Sequence, residues 1–415
     1  MKPPSKRHLQ VTMTMILVWT TAIACNLPLG LIRPPPQSTS SPTATAAGSQ
    51  PQAGARPTAT TAAGQPQAGA RTSSTSQPTP TSGSSQTAAS ESPAILARYS
   101  LDMAKGPLAV FATPEGIWVA NSMGGSLDLF NPQDGHLVKT LQIGAAGHTY
   151  LVFRFAYDGS YLWVLSAETP MGGSQRILAR VDLKTDDVKQ LTLPQQRSDC
   201  DILGCDWSSL ATSPGMVWIG SSGVTQIVDP NTMQFKDTIE TGSVEEFQYD
   251  GQRMWLLQAD DPNYLQVVNP KKLQALRPTT DCPNCAWIEL VGSRLWTGVS
   301  IQNHTLAFNT ASFTEDAKPV IDQTIAASIS DAIFMLPIYD DHYIWDVWYP
   351  RDTLFYIDPT DGKLAGSFNI YTPEGQAWDK QATVVSAAFD GHNIWVIAGT
   401  EVTRELNQIR LPWAS

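Results

Sequence analysis

From residue 94 onward the chain alternates short apolar runs with polar turns, and no apolar run keeps a helical period for a useful length. One phrase recurs: an acidic or glycine-bearing turn, then aliphatic–Trp–aliphatic. It reads Gly116-Ile117-Trp118-Val119, Tyr161-Leu162-Trp163-Val164, Met216-Val217-Trp218-Ile219, Met254-Trp255-Leu256, Leu295-Trp296, Ile344-Trp345 and Ile394-Trp395-Val396. The seven tryptophans stand 37 to 55 residues apart. A strand-like run precedes each phrase, as in Phe153–Tyr157 or Val384–Phe389. A second run follows and ends on a turn such as Asn131-Pro132, Asp229-Pro230, Asn269-Pro270 or Asp358-Pro359. Pro presets φ there, and the Asx side chain bonds its own backbone. A last run comes after the turn, such as Leu137–Ile143 or Leu364–Ile370. Each unit therefore reads as four short strands.

Four antiparallel strands repeated about every 45 residues predict an all-β, seven-bladed β-propeller of four-stranded blades over residues 94–415. One blade cannot cover both of its faces, so each Trp should wedge between neighbouring sheets. The final unit shows runs at Val384–Phe389, Ile394–Ala398 and Arg404–Leu411 but lacks a fourth. The orphan run Ala94–Leu101 is expected to pair with the last blade, close the ring and leave no protruding edge.

The first 93 residues have another character. Residues 1–24 read as a signal peptide: Lys2, Lys6 and Arg7 precede the apolar run Val11–Ala24, which is too short to span a bilayer comfortably. Residues 25–93 are rich in Ser, Thr, Pro, Ala, Gln and Gly, contain no aromatic residue, and repeat the phrase QPQAGAR. Such a segment cannot bury enough apolar surface to offset its ordering entropy. It is expected to be a disordered stalk with a reach of ~45 Å.

Charge narrows the partners. Six of the 27 basic and one of the 38 acidic residues fall in the first 93, leaving 21 basic against 37 acidic in the rest. A domain that acidic gains no counterion release from a phosphate backbone, so nucleic acid is excluded as a partner. It should not lie on an anionic lipid surface either.

Two resemblances refine this reading. Ala22-Ile23-Ala24-Cys25 resembles the bacterial lipobox, which implies a signal peptide of the lipoprotein type, lipidation of Cys25, and a lipid anchor holding the domain on the extracytoplasmic side of the cell membrane; secretion is the alternative. The Trp phrase followed by an Asp-Pro or Asn-Pro turn is similar to bacterial YVTN/NHL-type propellers and the streptogramin-lyase-like superfamily. That resemblance implies a propeller with its ligand near the channel mouth. The superfamily holds both enzymes and binders, and the lyases use His with Glu or His partners and Mg²⁺.

Strand direction places the second-to-third-strand loops and the inter-blade loops on one face. Glu168, Trp207, Asp260, Asp261, Trp287, His304 and Arg351 are the candidates there, joined by His148, Asp206 and Trp378 from inter-blade loops. If Cys25 is acylated, four cysteines remain. Cys200 with Cys205 and Cys282 with Cys285 are expected to form two local disulfides, against the alternatives of redox thiols or a Cys₄ metal site. His136, His342 and His392 fall on the opposite face. Neither His148 nor His304 has an acid partner in a recognisable motif, so both read as solvated. No Gly-x-Ser-x-Gly elbow, P-loop or dinucleotide fingerprint occurs. The expected function is a non-catalytic, monomeric binding or scaffold module for a protein, glycan or peptide, with no cofactor and no metal. The alternative is a divalent-metal-dependent lyase or hydrolase. That alternative needs His148 or His304 against a carboxylate at the channel mouth, and a channel lined with small apolar residues would rule it out.

Overall fold

A computed structural model describes residues 92–415 apart from 146, 169–174, 195–208, 222, 259–263, 282–284, 300–303, 310–320, 327–336, 349–352, 362, 372–382, 401 and 414–415. The signal-peptide, lipidation and stalk expectations lie outside these residues. All described residues belong to the unit Ser90–Ser415.

The strands form seven four-stranded antiparallel sheets. Six run in simple sequence order, from Pro107–Thr113 through Leu364–Asn369. In the seventh, the strand Ala94–Ser100 lies outside Arg404–Arg410, followed inward by Asn393–Gly399 and Thr383–Phe389. The chain's first strand thus pairs antiparallel with its last, Ala94 opposite Arg410 and Ser100 opposite Glu405. Arg98 fastens this junction. Its guanidinium bonds Asn407 Oδ1 (2.9 Å) and Ile370 O (2.5 Å) and lies 4.7 Å from the Tyr371 ring centroid.

The second strand of each sheet carries the Trp of the repeated phrase, and all seven are fully buried. Each packs on the next sheet. Trp118 meets Leu162 and Val164, Trp163 meets Leu210 and Ile219, Trp218 meets Val244 and Phe247, and Trp255 meets Ile288 and Leu295. Trp296 meets Ile344 and Phe355, Trp345 meets Ile394 and Val396, and Trp395 returns to Val110, Ile117 and Val119 of the first sheet. The apolar core is therefore a cycle of seams rather than one central mass. Truncating any of these indoles to Ala should cost about 3–5 kcal/mol.

The residue five places before each Trp explains the rest of the phrase. Trp163, Trp255, Trp345 and Trp395 donate Nε1–H to Asp158, Asp250, Asp340 and Asp390 at 2.6–2.8 Å, and the other carboxylate oxygen accepts two turn N–H groups in each case. Thr113 and Ser213 serve Trp118 and Trp218 in the same way. In the fifth sheet that position is Val291, and the buried Trp296 Nε1–H has no partner among the described residues.

The first strands of successive sheets neighbour one another around the molecule, and Thr383–Phe389 returns to Pro107–Thr113. Side chains tie these inner strands together. Ser209 Oγ donates to Val244 O (3.3 Å), Val110 N donates to Ser386 Oγ (3.0 Å), and Ile288 N donates to Glu246 Oε2 (2.7 Å). All three acceptor or donor side chains stand nine residues before the Trp of their own sheet.

Candidate functional site

Two polar groups sit on the scaffold where ligands could reach. The first joins His148 and Glu168. Glu168 ends the second strand of the second sheet, Tyr161–Glu168, opposite Tyr150 in register. His148 belongs to the loop entering that sheet. Its backbone carbonyl accepts from Gly124 N, and Tyr150 N donates to Ser122 O, so the neighbouring sheet's loop fixes the approach. The His148 Nδ1 hydrogen-bonds Glu168 Oε1. A carboxylate only accepts, so in the neutral imidazole paired with it through Nδ1–H the lone pair is left on Nε2. Glu168 is buried, whereas His148 is about half exposed, at 46%. The Tyr150 hydroxyl accepts from Ala145 N (2.6 Å). Burial raises the Tyr150 phenol above its ordinary pKa, and the charge and hydrogen bond of Glu168 push the same way. Gly144 is required beside it, since a Cβ there would enter the Tyr150 ring.

The second group lines the inner strands. Arg154 comes from the second sheet, Glu245 and Glu246 from the fourth, and Glu289 from the fifth. Arg154 is exposed and the three glutamates are partly exposed. All four are nonetheless desolvated by the protein around them, and Arg154 acts electrostatically on Glu245 and Glu246 from two sheets away. All four stand on the first strands of their sheets, which neighbour one another around the molecule, and in a β-propeller these are the strands that border the axial passage. Burial pushes Glu245 and Glu246 up to about 7 and Glu289 to about 8; for Glu289 the charge of Glu246 adds to the rise. Arg154 moves in the opposite sense for the same reason, with its pKa lowered by burial. Gln248 Nε2 bridges Ile288 O (3.2 Å) and Glu289 Oε2 (3.3 Å).

The structure revises several sequence expectations. His148 is paired, not simply solvated: the chain fold brings it to Glu168, twenty residues away, through an antiparallel register that no local motif records. Trp287 is not a rim aromatic. It is 2% exposed and packs with Trp296, Ile344 and Phe355, because its position nine residues before Trp296 faces the next sheet. The passage is not lined only by small apolar groups. Asp206, Trp207, Asp260, Asp261, Arg351 and Trp378 lie outside the described residues, as do Cys200, Cys205 and Cys282. His304 begins the strand His304–Asn309, and its side chain is likewise outside them. Cys285 is disulfide-bonded. Among the described residues no group of three or more His, Cys, Asp or Glu side chains is arranged to hold a metal ion.

Sequence reasoning missed Arg154, Glu245, Glu246 and Glu289. A signal existed: Arg154 and Glu289 are single charges inside otherwise apolar runs, Glu245 and Glu246 stand together in the strand VEEFQY, and Arg154 and Glu246 share the position nine residues before their Trp.

No protein-family model matches the chain, and no curated protein matches it. Among solved structures it is similar to the β-propeller domain of Myceliophteria thermophila Cps50 (Swd1), at 10% identity and a TM-score of 0.57, over 77% of this chain and 100% of that one. The chain is a β-propeller. The propeller is also similar to Kuenenia stuttgartiensis hydrazine synthase, at 10% identity and a TM-score of 0.51, over 71% of this chain and 93% of that chain. At such identity the likeness concerns the fold alone.

Proposed function

We propose that this propeller is an extracytoplasmic binding module, anchored through lipidated Cys25 on the stalk 25–93, whose ligand enters the axial passage from the His148–Glu168 side. The observation that carries the reading is the set Arg154, Glu245, Glu246 and Glu289: desolvated charges kept within reach of solvent at the axis of seven sheets. Packing alone gives no reason to leave charged groups there, since burying charge costs free energy that apolar residues would not. The excess of carboxylates over guanidinium, on a domain that is acidic overall, favours a ligand presenting a cationic group, such as a basic peptide or an amino sugar. The four cysteines beyond Cys25 form local pairs, Cys200 with Cys205 and Cys282 with Cys285, and staple the loops around the mouth.

The test is an array of peptides and glycans probed with the full chain and with Glu245→Gln and Glu168→Gln. Hits on the wild type should be enriched in Lys, Arg or amino sugars and weaken at least tenfold on Glu245→Gln. A wild type that binds nothing, or hits indifferent to Glu245, would refute the reading. Replacing Cys25 with Ser should abolish labelling by a palmitate analogue; persistent labelling would remove the anchor.

A second reading rests on one contact. A histidine held by a buried carboxylate through Nδ1, with Nε2 free to take a proton, is a competent general base. It favours a lyase or hydrolase. Turnover of a lactone and ester panel, with and without Mg²⁺, that disappears in His148→Ala would establish it; no turnover by the wild type would dismiss it.

A further inference from the structure

The inner strands of three neighbouring sheet pairs are joined by one device, a side chain nine residues before the Trp bonded to the next first strand. At two of these seams the side chain is a serine, Ser209 or Ser386, which does not titrate. At the seam between the fourth and fifth sheets it is Glu246, and Gln248 there reaches both Ile288 O and Glu289. We propose that this seam is a proton-operated latch in the wall of the axial passage, closed while Glu246 and Glu289 share at least one proton and loosened once both are ionised.

Charge counting supports the direction. The groups acting on the seam are Glu245 and Glu246 from the strand Val244–Tyr249, Glu289 from Cys285–Val291, Asp346 from the sixth sheet and Arg154 from the second. The described inner strands packed on either side, Leu210–Ser213 and Ile338–Tyr339, supply no carboxylate or cation. Met216–Gly220, Met254–Gln258 and Tyr264–Asn269 supply none either. Arg294 stands at the turn end of its strand, bonded to Pro359 O (3.4 Å). Four carboxylates thus face one guanidinium in a desolvated setting, and like charges so placed cannot all ionise without strain between the strands that carry them. Ile288 N–H favours the ionised form of Glu246, but burial outweighs it. The sign follows. These acids sit above their ordinary pKa in the folded chain, so the stability they contribute is full below about 4.5, the ordinary glutamate value, and is lost as pH rises towards 7 and 8.

The latch does not depend on what the passage binds, and amide hydrogen exchange of the full chain reads it without a ligand. Exchange in 244–249 and 285–291, corrected for the intrinsic pH dependence, should accelerate by roughly one to three decades between pH 6 and pH 8.5, one decade for each pKa unit of lost preference, with about one unit at Glu246 and about two at Glu289. The serine-linked strands Pro107–Thr113 and Leu210–Ser213 should not change. Glu289→Gln should keep the seam protected at both pH values, and Glu246→Gln should do so if the first variant folds poorly. Equal acceleration at all seams, no acceleration in the wild type, or an undiminished response in both variants would overturn the proposal.

Discussion

Val291 offers a quantitative check on how the repeated phrase stabilises the sheets. Thr113 pairs with Gly116, Ser213 with Met216 and Val291 with Arg294, each flanking a two-residue turn. The hydroxyls of Thr113 and Ser213 accept the indole N–H five residues on at 3.0 and 2.8 Å, whereas Val291 offers no acceptor and the buried Trp296 Nε1–H has no partner among the described residues. An unmet buried donor costs about 1–3 kcal/mol, and a new neutral hydrogen bond recovers about 0.5–1.5 kcal/mol of that. Val291→Thr exchanges a half-buried methyl, worth about 0.4–0.8 kcal/mol, for the missing acceptor. The net gain expected is about 0–1 kcal/mol, or up to about 3 °C in the melting temperature of a domain this large. The reciprocal change Thr113→Val strands Trp118 Nε1–H and should lower stability by about 1–3 kcal/mol. Denaturant melts followed by tryptophan fluorescence measure both. If Thr113→Val is silent while Val291→Thr destabilises, the residue five before Trp is not acting as its acceptor.

Other perturbations probe the remaining contacts. Asp340 is 1% exposed and accepts from His342 N, Tyr343 N, Trp345 Nε1 and Trp413 Nε1, so Asp340→Ala should cost at least about 3 kcal/mol by denaturant melt. Removing Trp413 alone should cost less. Arg98→Ala should lower stability by about 2 kcal/mol and speed exchange in Ala94–Ser100 before any other strand, because it frees the closing strand from Asn407, Ile370 and Tyr371. Gly135 has φ +64°, and a Cβ there would enter the Tyr99 ring of the closing strand. The matching turn positions hold Asp186 and Met233 at similar φ, so Gly135→Ala should be destabilising mainly through that clash, by about 2 kcal/mol or more, and Asp186→Ala should be milder. The melting temperature should fall from pH 6 to pH 8.5, and Glu289→Gln should flatten the profile.

The fold was legible because its signals are local and repeated. A Trp flanked by aliphatics, an acceptor five residues before it and an Asx turn after it recur often enough to mark each sheet. The orphan run at 94 could be assigned because the final unit lacked one strand. The candidate site was less legible because its residues become neighbours only through ring closure. Arg154 and Glu246 are 92 positions apart in sequence, and Glu168 reaches His148 through a strand register. Trp287 misled for a related reason. An aromatic residue just after a loop cysteine looks like a rim residue until the bulge between Cys285 and Trp287 turns it into the seam.

The axial charges and the His148–Glu168 pair are the proposed working surface. Carboxyl footprinting of the full chain at pH 7, with and without the strongest hit from the array, tests it most directly. Protection of Glu168, Glu245, Glu246 and Glu289, with Asp186, Asp237 and Asp361 on the outer turns and strands unchanged, is the result expected. Protection confined to the outer residues, with the axial glutamates equally reactive in both states, would contradict it.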